Sequence, residues 1–303
     1  VYGDGSQVSD PIAPCEAQGY VFASRQQFSQ VLWALGKKEE AKRLHDGAIE
    51  LRKRFNEAYW MEKEDIFAMG LDGEGRQIQS VSSNPGHCLG TGVAEESLAA
   101  RTVNRLMRDD MFSGWGVRTL SSGHPAYNPY SYHRGTVWPV EQGAFAIGFW
   151  RYGKYEEMLQ LCRAQFELAE LFEHFRLPEV LSGHQRDSMH PFPALYPDAN
   201  SPQAWSASAV FAMIGSILGI FPLAPFRMLL VDPHLPEWLP EIMIGNLQVG
   251  EASVSLRFFR ETDGASQFEI RDLKGDLRVE KRSDPWSLTS CFGDELRDRI
   301  AGQ

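Results

Sequence analysis

Apolar positions recur every three or four residues over most of the first two-thirds of the chain, and the period falls to two only near the end. From Glu16 to Leu35, the apolar set Tyr20, Phe22, Ala23, Val31, Leu32 and Leu35 predicts a helix that Gly36 terminates. The next stretch, KEEAKRLHDGAIELRKRFNEAYW, carries Ala41, Leu44, Ala48, Leu51 and Phe55 at spacings of three and four with charges opposite. It predicts an amphipathic helix that closes an αα-hairpin with the first. The same unit recurs: a loop rich in Gly and aromatics, an apolar helix, a tight Gly turn and a more charged helix. A β-hairpin is expected at FAMGLDGEGRQIQSV, where DGEG supplies the turn, followed by one helix from about Gly92 to Met107. TVWPVEQGAFAIGFWRYG and YEEMLQLCRAQFELAELFEHF predict another pair around Gly153. SPQAWSASAVFAMIGSILGI predicts a last helix, capped by Ser201 with Pro202 at its first position. Six helices that alternate in burial result.

Repeated αα-hairpins of roughly 50 to 70 residues predict a toroid with apolar helices in an inner ring and amphipathic ones outside. Helices stop near Ile220, after which Val254, Leu256 and Phe258 alternate onto one face and predict a small antiparallel sheet. Beyond about Asp272 the pattern weakens to a last strand and a loose, charged tail. The expected division is a helical domain over residues 1–222 and a small β element with tail over 223–303.

Composition narrows the function classes. Hydrophobic residues make up 43% and aromatics 12%, with eight Trp, which is the make-up of a globular protein with a large core. A net charge of -10 argues against nucleic acid and anionic membranes as partners, since both demand clustered Lys and Arg. A neutral ligand such as a sugar suits that charge. Cys15, Cys88, Cys162 and Cys291 lie far apart with no metal-like spacing, so no metal is expected and the thiols read as reduced, in the cytoplasm. No apolar run of 18 residues and no signal peptide occur, and the chain opens at Val1 in a loop-like stretch, so upstream sequence is expected.

One loop is dense in binding chemistry. YNPYSYHRGTVWPVEQG, residues 127–143, holds three Tyr, one His, one Arg, one Trp and one Glu. Two readings fit: the aromatics plug the mouth of the bundle around a structural His133, or Trp138 stacks on a sugar while His133 and Arg134 bind hydroxyls. Glu179 follows Pro178, which stops any preceding helix and sets a stiff loop, a suitable position for a base. A lone loop Glu is more often solvated. Glu16 and Glu141 head apolar helices, where the N-terminal dipole alone accounts for them. Residue chemistry ranks none of the three above the others. No GxSxG elbow and no phosphate loop occurs.

The order PIAPCEAQGYVF, SNPGHCLGTG, NPYSYHRGTVWPVEQGAFAIGFWRYG, RLPEVLSG and SPQAWSASAVF resembles the C-terminal half of bacterial amylo-α-1,6-glucosidases of the glycogen-debranching type, over about residues 8–258. The resemblance implies an (α/α)6 toroid related to glucoamylases, about half of it present, followed by a small β element. It implies hydrolysis of α-linked glucose from a glucan with inversion, without cofactor. By that resemblance Glu179 of RLPE matches the general base, and Glu16, Gln18, Tyr132, His133, Trp138, Glu141, Gln203 and Trp205 match substrate contacts. Relatives often carry His-Asp where this chain has Val140 and Glu141. The family's general acid, an Asp in a WKDS-type motif, has no match here and is expected upstream of Val1. The chain alone is therefore expected to be inactive, its partners being an α-glucan or oligosaccharide and either the missing N-terminal half or a second copy. Two alternatives stay open: a sugar epimerase of the N-acylglucosamine type using His133 and His184, and a non-catalytic glucan-binding protein.

Overall fold

A computed structural model of the chain describes residues 1–301, which fall into two compact units. The first holds Val1–Phe211 and the segment from Cys291 onward; the second holds Ala212–Ser290.

In the first unit, a two-residue strand β1 (Ala13–Pro14) leads into α1 (Cys15–Ala34), and Gly36 at φ +76 turns the chain into α2 (Lys38–Tyr59). Strands β2 (Trp60–Met61), β3 (Ile66–Phe67) and β4 (Gly70–Leu71) follow; β2 pairs with β3, and β4 with β1. The expected hairpin forms, with Leu71 bridged to Gln77 across the DGEG turn. The expected single helix from Gly92 to Met107 is replaced by two: α3 (Asn84–Thr91) and α4 (Glu96–Leu106). Gly92 separates them, standing left-handed at φ +80 as the cap of α3. Next come α5 (Pro139–Arg151) and α6 (Tyr155–Ala169), joined through Gly153 at φ +65 as the spacing predicts.

The last helix of the series, α7 (Ala204–Leu218), begins later than expected, and the division between the units falls within it. Ser201 does not cap it; the Gln203 side chain accepts the Ala204 N–H at 3.1 Å instead. Seven helices therefore stand where six are expected.

Helices α1, α3 and α5 pack side by side, with α2 on α1, α4 on α3 and α6 on α5. Close approach within this layer depends on missing side chains. A Cβ on Gly86 would enter the Phe145 ring, and one on Gly148 would sit 2.6 Å from the Leu89 Cβ. The amphipathic helices α2, α4 and α6 bury one stripe each, such as Met158, Leu161, Cys162, Gln165 and Leu168 of α6. Along α1, Val21, Phe28, Val31 and Leu35 stay exposed on one face.

The second unit is mostly sheet. Strand β5 (Phe221–Leu223) pairs antiparallel with β6 (Met228–Val231). Strands β7 (Glu241–Val249), β8 (Ala252–Arg260) and β9 (Ser266–Lys274) form an antiparallel meander. Val254, Leu256 and Phe258 are buried on one face of β8, as the period of two predicts. The tail is more ordered than expected: β10 (Arg278–Lys281) pairs parallel with β6, and α8 (Asp294–Ala301) belongs to the first unit. There Phe292 stacks on His45 and meets Trp33 edge-on.

All four cysteines are buried. Among the described residues, no helix is long and apolar enough to cross a membrane, and no group of three or more His, Cys, Asp or Glu could hold a metal ion.

Candidate active site

Glu179 lies in an extended segment, Leu177–Ser182, that is buried on both faces. A run of isolated antiparallel bridges, Arg118 to Val137, Val137 to Leu181 and Leu181 to Leu195, ties this segment to its neighbours. Its Leu177 and Leu181 pack into a core with Trp115, Val137 and Leu168. The Ser206 hydroxyl at the start of α7 donates to the Pro178 carbonyl at 2.8 Å, and the Glu179 N–H donates to the Asn200 carbonyl at 2.8 Å. Glu179 is therefore held by that core and by hydrogen bonds on either side.

Glu179 as a residue is only 7% exposed, so it is not a solvated loop acid. Three neutral donors satisfy its carboxylate. The Tyr132 hydroxyl donates to Oε1 at 2.5 Å, while the Asn200 side-chain amide and backbone N–H donate to Oε2 at 2.8 and 3.2 Å. Among the described residues no basic group lies within ion-pair distance of it. The Tyr132 hydrogen bond, with those from Asn200, holds the carboxyl below its ordinary pKa against the opposing effect of desolvation. The same bond pushes the Tyr132 phenol up to about 12.

Tyr132 is set in place by aromatics. Trp138 meets it edge-on, with ring centroids 4.6 Å apart, and Tyr196 packs at 5.7 Å. Trp138 itself is buried, with its indole N–H donating to the Tyr132 carbonyl and the Thr136 hydroxyl at 3.1 Å. It supports Tyr132 rather than offering a face. The stacking face is left to Trp205, which touches Trp138 at 5.8 Å and is 45% exposed. His133 lies flat on Trp138, with 4° between the rings, and Arg134 donates to the Ser131 hydroxyl; both are exposed. His184 accepts or donates with Ser182 and meets Tyr130, so His133 and His184 engage separate partners. Gln203 is spent capping α7.

A second polar group stands where the first turns of α1, α3 and α5 meet. Trp138 precedes α5, and its carbonyl accepts the Glu141 N–H at 3.1 Å, so this group begins one helical turn from the aromatic cluster. Glu16 accepts from Asn84 at 2.9 Å, Glu141 from Ser83 at 3.1 Å, and His87 lies 3.5 Å from Glu141. Gln18 sits half-buried on α1 outside these bonds. Of the expected site residues, the structure thus joins Tyr132, Trp138, Trp205 and Glu179 in one cluster and Glu16 with Glu141 in another. Sequence reasoning missed Asn200, Asn84 and His87. Two of them stand in SNPGH, a motif already singled out; Asn200, 21 residues past Glu179, carries no signal of its own.

The model of the mannosylglycerate hydrolase MGH1-like glycoside hydrolase domain matches residues 4–177, more than half of the chain. The chain belongs to this family. The match holds both polar clusters except Glu179, Asn200, Gln203 and Trp205, which lie beyond its end. No curated protein sequence matches the chain. Among solved structures, a sialidase aligns over 89% of this chain and 26% of its own, with a TM-score of 0.71 at 11% identity. A GH78 rhamnosidase of Bacillus sp. GL1 aligns over the same shares, with a TM-score of 0.62 at 18% identity. The GH63 mannosylglycerate hydrolase from Thermus thermophilus, in complex with Tris and D-glycerate, aligns over 67% of this chain and 45% of its own, with a TM-score of 0.53 at 18% identity. The chain spans less than half the length of each of these structures, and at such identities the likeness is one of fold. What is established is membership in this glycoside hydrolase domain family, with a helical fold shared with larger glycosidases. The comparisons do not single out debranching enzymes, so the narrower resemblance reduces to that statement.

Proposed function

We propose that this MGH1-like domain hydrolyses α-linked glucose from a neutral glucoside or glucan with inversion, as in amylo-α-1,6-glucosidases, with Glu179 as the general base. The observation that carries the reading is the carboxylate itself: buried, ionised and satisfied only by neutral donors. Asp110 and Glu167, by contrast, are matched to cations, Arg105 and Arg186. An ionised carboxylate has about four lone-pair sites. Tyr132 and Asn200 occupy three, leaving one on Oε1 for a water. In the proposed step that water gives its proton to Glu179 as its oxygen attacks the anomeric carbon, and the bond to the leaving oxygen breaks as a general acid protonates it. The sequence resemblance puts that acid outside residues 1–303.

The test is Glu179→Gln in the full-length enzyme. The amide preserves the site, because its oxygen can face the Asn200 donors and its NH2 can donate to the Tyr132 oxygen. The expected outcome is a loss of roughly a thousandfold in kcat with little change in KM or stability. Wild-type turnover by the variant sinks the assignment. A second reading, a glycoside with a carboxylate aglycone, is favoured by exposed His133 and Arg134 in the Tyr132 loop. Relative kcat/KM on isomaltose and on mannosylglycerate separates the two.

A further inference from the structure

The cluster at the first turns of α1, α3 and α5 has a feature that Glu179 does not explain. Acids in the first turn of α1 and α5 are placed to serve their own helix ends, yet neither helix has a side-chain cap. Their carboxylates reach across to α3 instead, Glu16 to Asn84 and Glu141 to Ser83 and His87. His87 bridges the layer: Nε2 faces Glu141 of α5, and Nδ1 lies 3.1 Å from the Tyr20 hydroxyl of α1. Its ring rests edge-on against Phe145 of α5, with centroids 5.4 Å apart. The His87 side chain is 18% exposed and Tyr20 is 52% exposed, so the bridge is sheltered while its phenol end is open.

The two protonation states of His87 give that phenol opposite polarity. In the imidazolium both ring nitrogens donate, one to Glu141 and one to the Tyr20 oxygen, so the Tyr20 O–H is free to donate to a ligand. In the neutral ring with Nε2 still donating to Glu141, Nδ1 accepts the Tyr20 O–H, and that donor is consumed. We propose that His87 is a positioning residue of the sugar site, whose imidazolium holds Glu141 and turns the exposed Tyr20 hydroxyl outward as a donor to a hydroxyl of a neutral sugar. The inference rests on the sugar-site reading above but not on the role of Glu179. The charged groups acting on His87 are Glu141 of α5 and Glu16 of α1. Burial works against the imidazolium, but the Glu141 hydrogen bond and the two negative charges outweigh it, so His87 holds its proton above the ordinary range.

The test uses glucose as the probe and the full-length enzyme with isotope-labelled histidine rings. Calorimetry across pH 5 to 9 is expected to show glucose binding weaken roughly five- to tenfold as pH rises through the His87 titration, the worth of one neutral hydrogen bond. By linkage, saturating glucose must raise the His87 midpoint, read by NMR, by the same factor. Tyr20→Phe, exposed and therefore benign to folding, is expected to flatten the profile at the weaker value, and His87→Gln to do the same. A profile unchanged in Tyr20→Phe, or a His87 midpoint unmoved by bound glucose, overturns the proposal with the sugar site intact. Absence of glucose binding at every pH overturns the glucose reading and this proposal together.

Discussion

Gly183 sits where the Glu179 segment meets the Tyr132 loop, and it is the position least able to take a methyl group. A Cβ there would overlap the carbonyl oxygen of Gly135 and lie 2.8 Å from its carbonyl carbon, 0.6 Å short of the 3.4 Å at which ordinary contact begins. The obstacle is backbone, so no rotamer relieves it. The Gly183 N–H donates to Pro129 at 2.9 Å, and its carbonyl accepts from Arg118 at 2.6 Å and Tyr127 at 2.9 Å. Separating the two segments weakens all three bonds and stretches the one between Tyr132 and Glu179. With overpacking at about 1–3 kcal/mol and each hydrogen bond near 1 kcal/mol, Gly183→Ala is expected to cost about 3–4 kcal/mol in urea unfolding. A displacement of roughly 1 Å at a reacting group costs about a hundredfold in rate, so kcat/KM on an α-glucoside should fall by about that factor at temperatures where the variant is folded. Gly153→Ala is the control: at φ +65 and with nothing within 4 Å, it should cost about 1 kcal/mol from backbone conformation alone and leave kcat/KM unchanged. Equal loss of stability in the two variants, or full activity in Gly183→Ala, refutes the claim that this strap fixes the proposed base.

Two further outcomes follow from named bonds. Tyr132→Phe removes the largest influence holding the Glu179 carboxyl low, so its pKa rises and the acid limb of the kcat/KM profile moves to higher pH. The same linkage makes wild type more stable than the variant above the carboxylate's unfolded pKa, a difference that disappears as pH falls through the folded one; pH-resolved urea titrations read both. Asn56 is buried and donates to the carbonyls of Arg52 and Val93 while accepting the Glu95 N–H that opens α4. Asn56→Ala strands these groups and should cost about 3 kcal/mol by urea unfolding, with no shift in the pH profile.

The contrast between α3 and its neighbours shows what periodicity can carry. Helices α1, α2, α5 and α6 were legible because their apolar spacing is regular and Gly36 and Gly153 mark the turns between the members of each pair. NPGHCLGT of α3 holds one Pro and two Gly in eight residues and has little propensity to be helical on its own. Those glycines exist for the partner: Gly86 admits the Phe145 ring, and Gly90 lies against the α5 backbone near Ala144 and Gly148. A helix specified by what presses on it leaves no periodic trace, so the sequence pattern began its helix at Gly92, where the structure ends one. Glu179 failed to stand out for a related reason. Its donors come from Tyr132, 47 positions upstream, and Asn200, 21 downstream, and only the fold makes them neighbours.

The chemical character of the site follows from which partner each acid has. Asp110 is bound by Arg105, whose two terminal nitrogens each donate to one carboxylate oxygen, so the cation spreads over the carboxylate and fixes its charge for the fold. An acid so paired is a poor base, because accepting a proton breaks an ion pair and strands the cation. Glu179 has only hydroxyl and amide donors, which favour its ionised form yet remain satisfiable when it is protonated, since Tyr132 and Asn200 can both rearrange to a neutral acceptor. Replacing those donors with a guanidinium would hold the carboxyl lower still and occupy the lone pair that a water needs. The neutral donor set is therefore the arrangement under which a buried carboxylate stays ionised near neutral pH and can still take a proton.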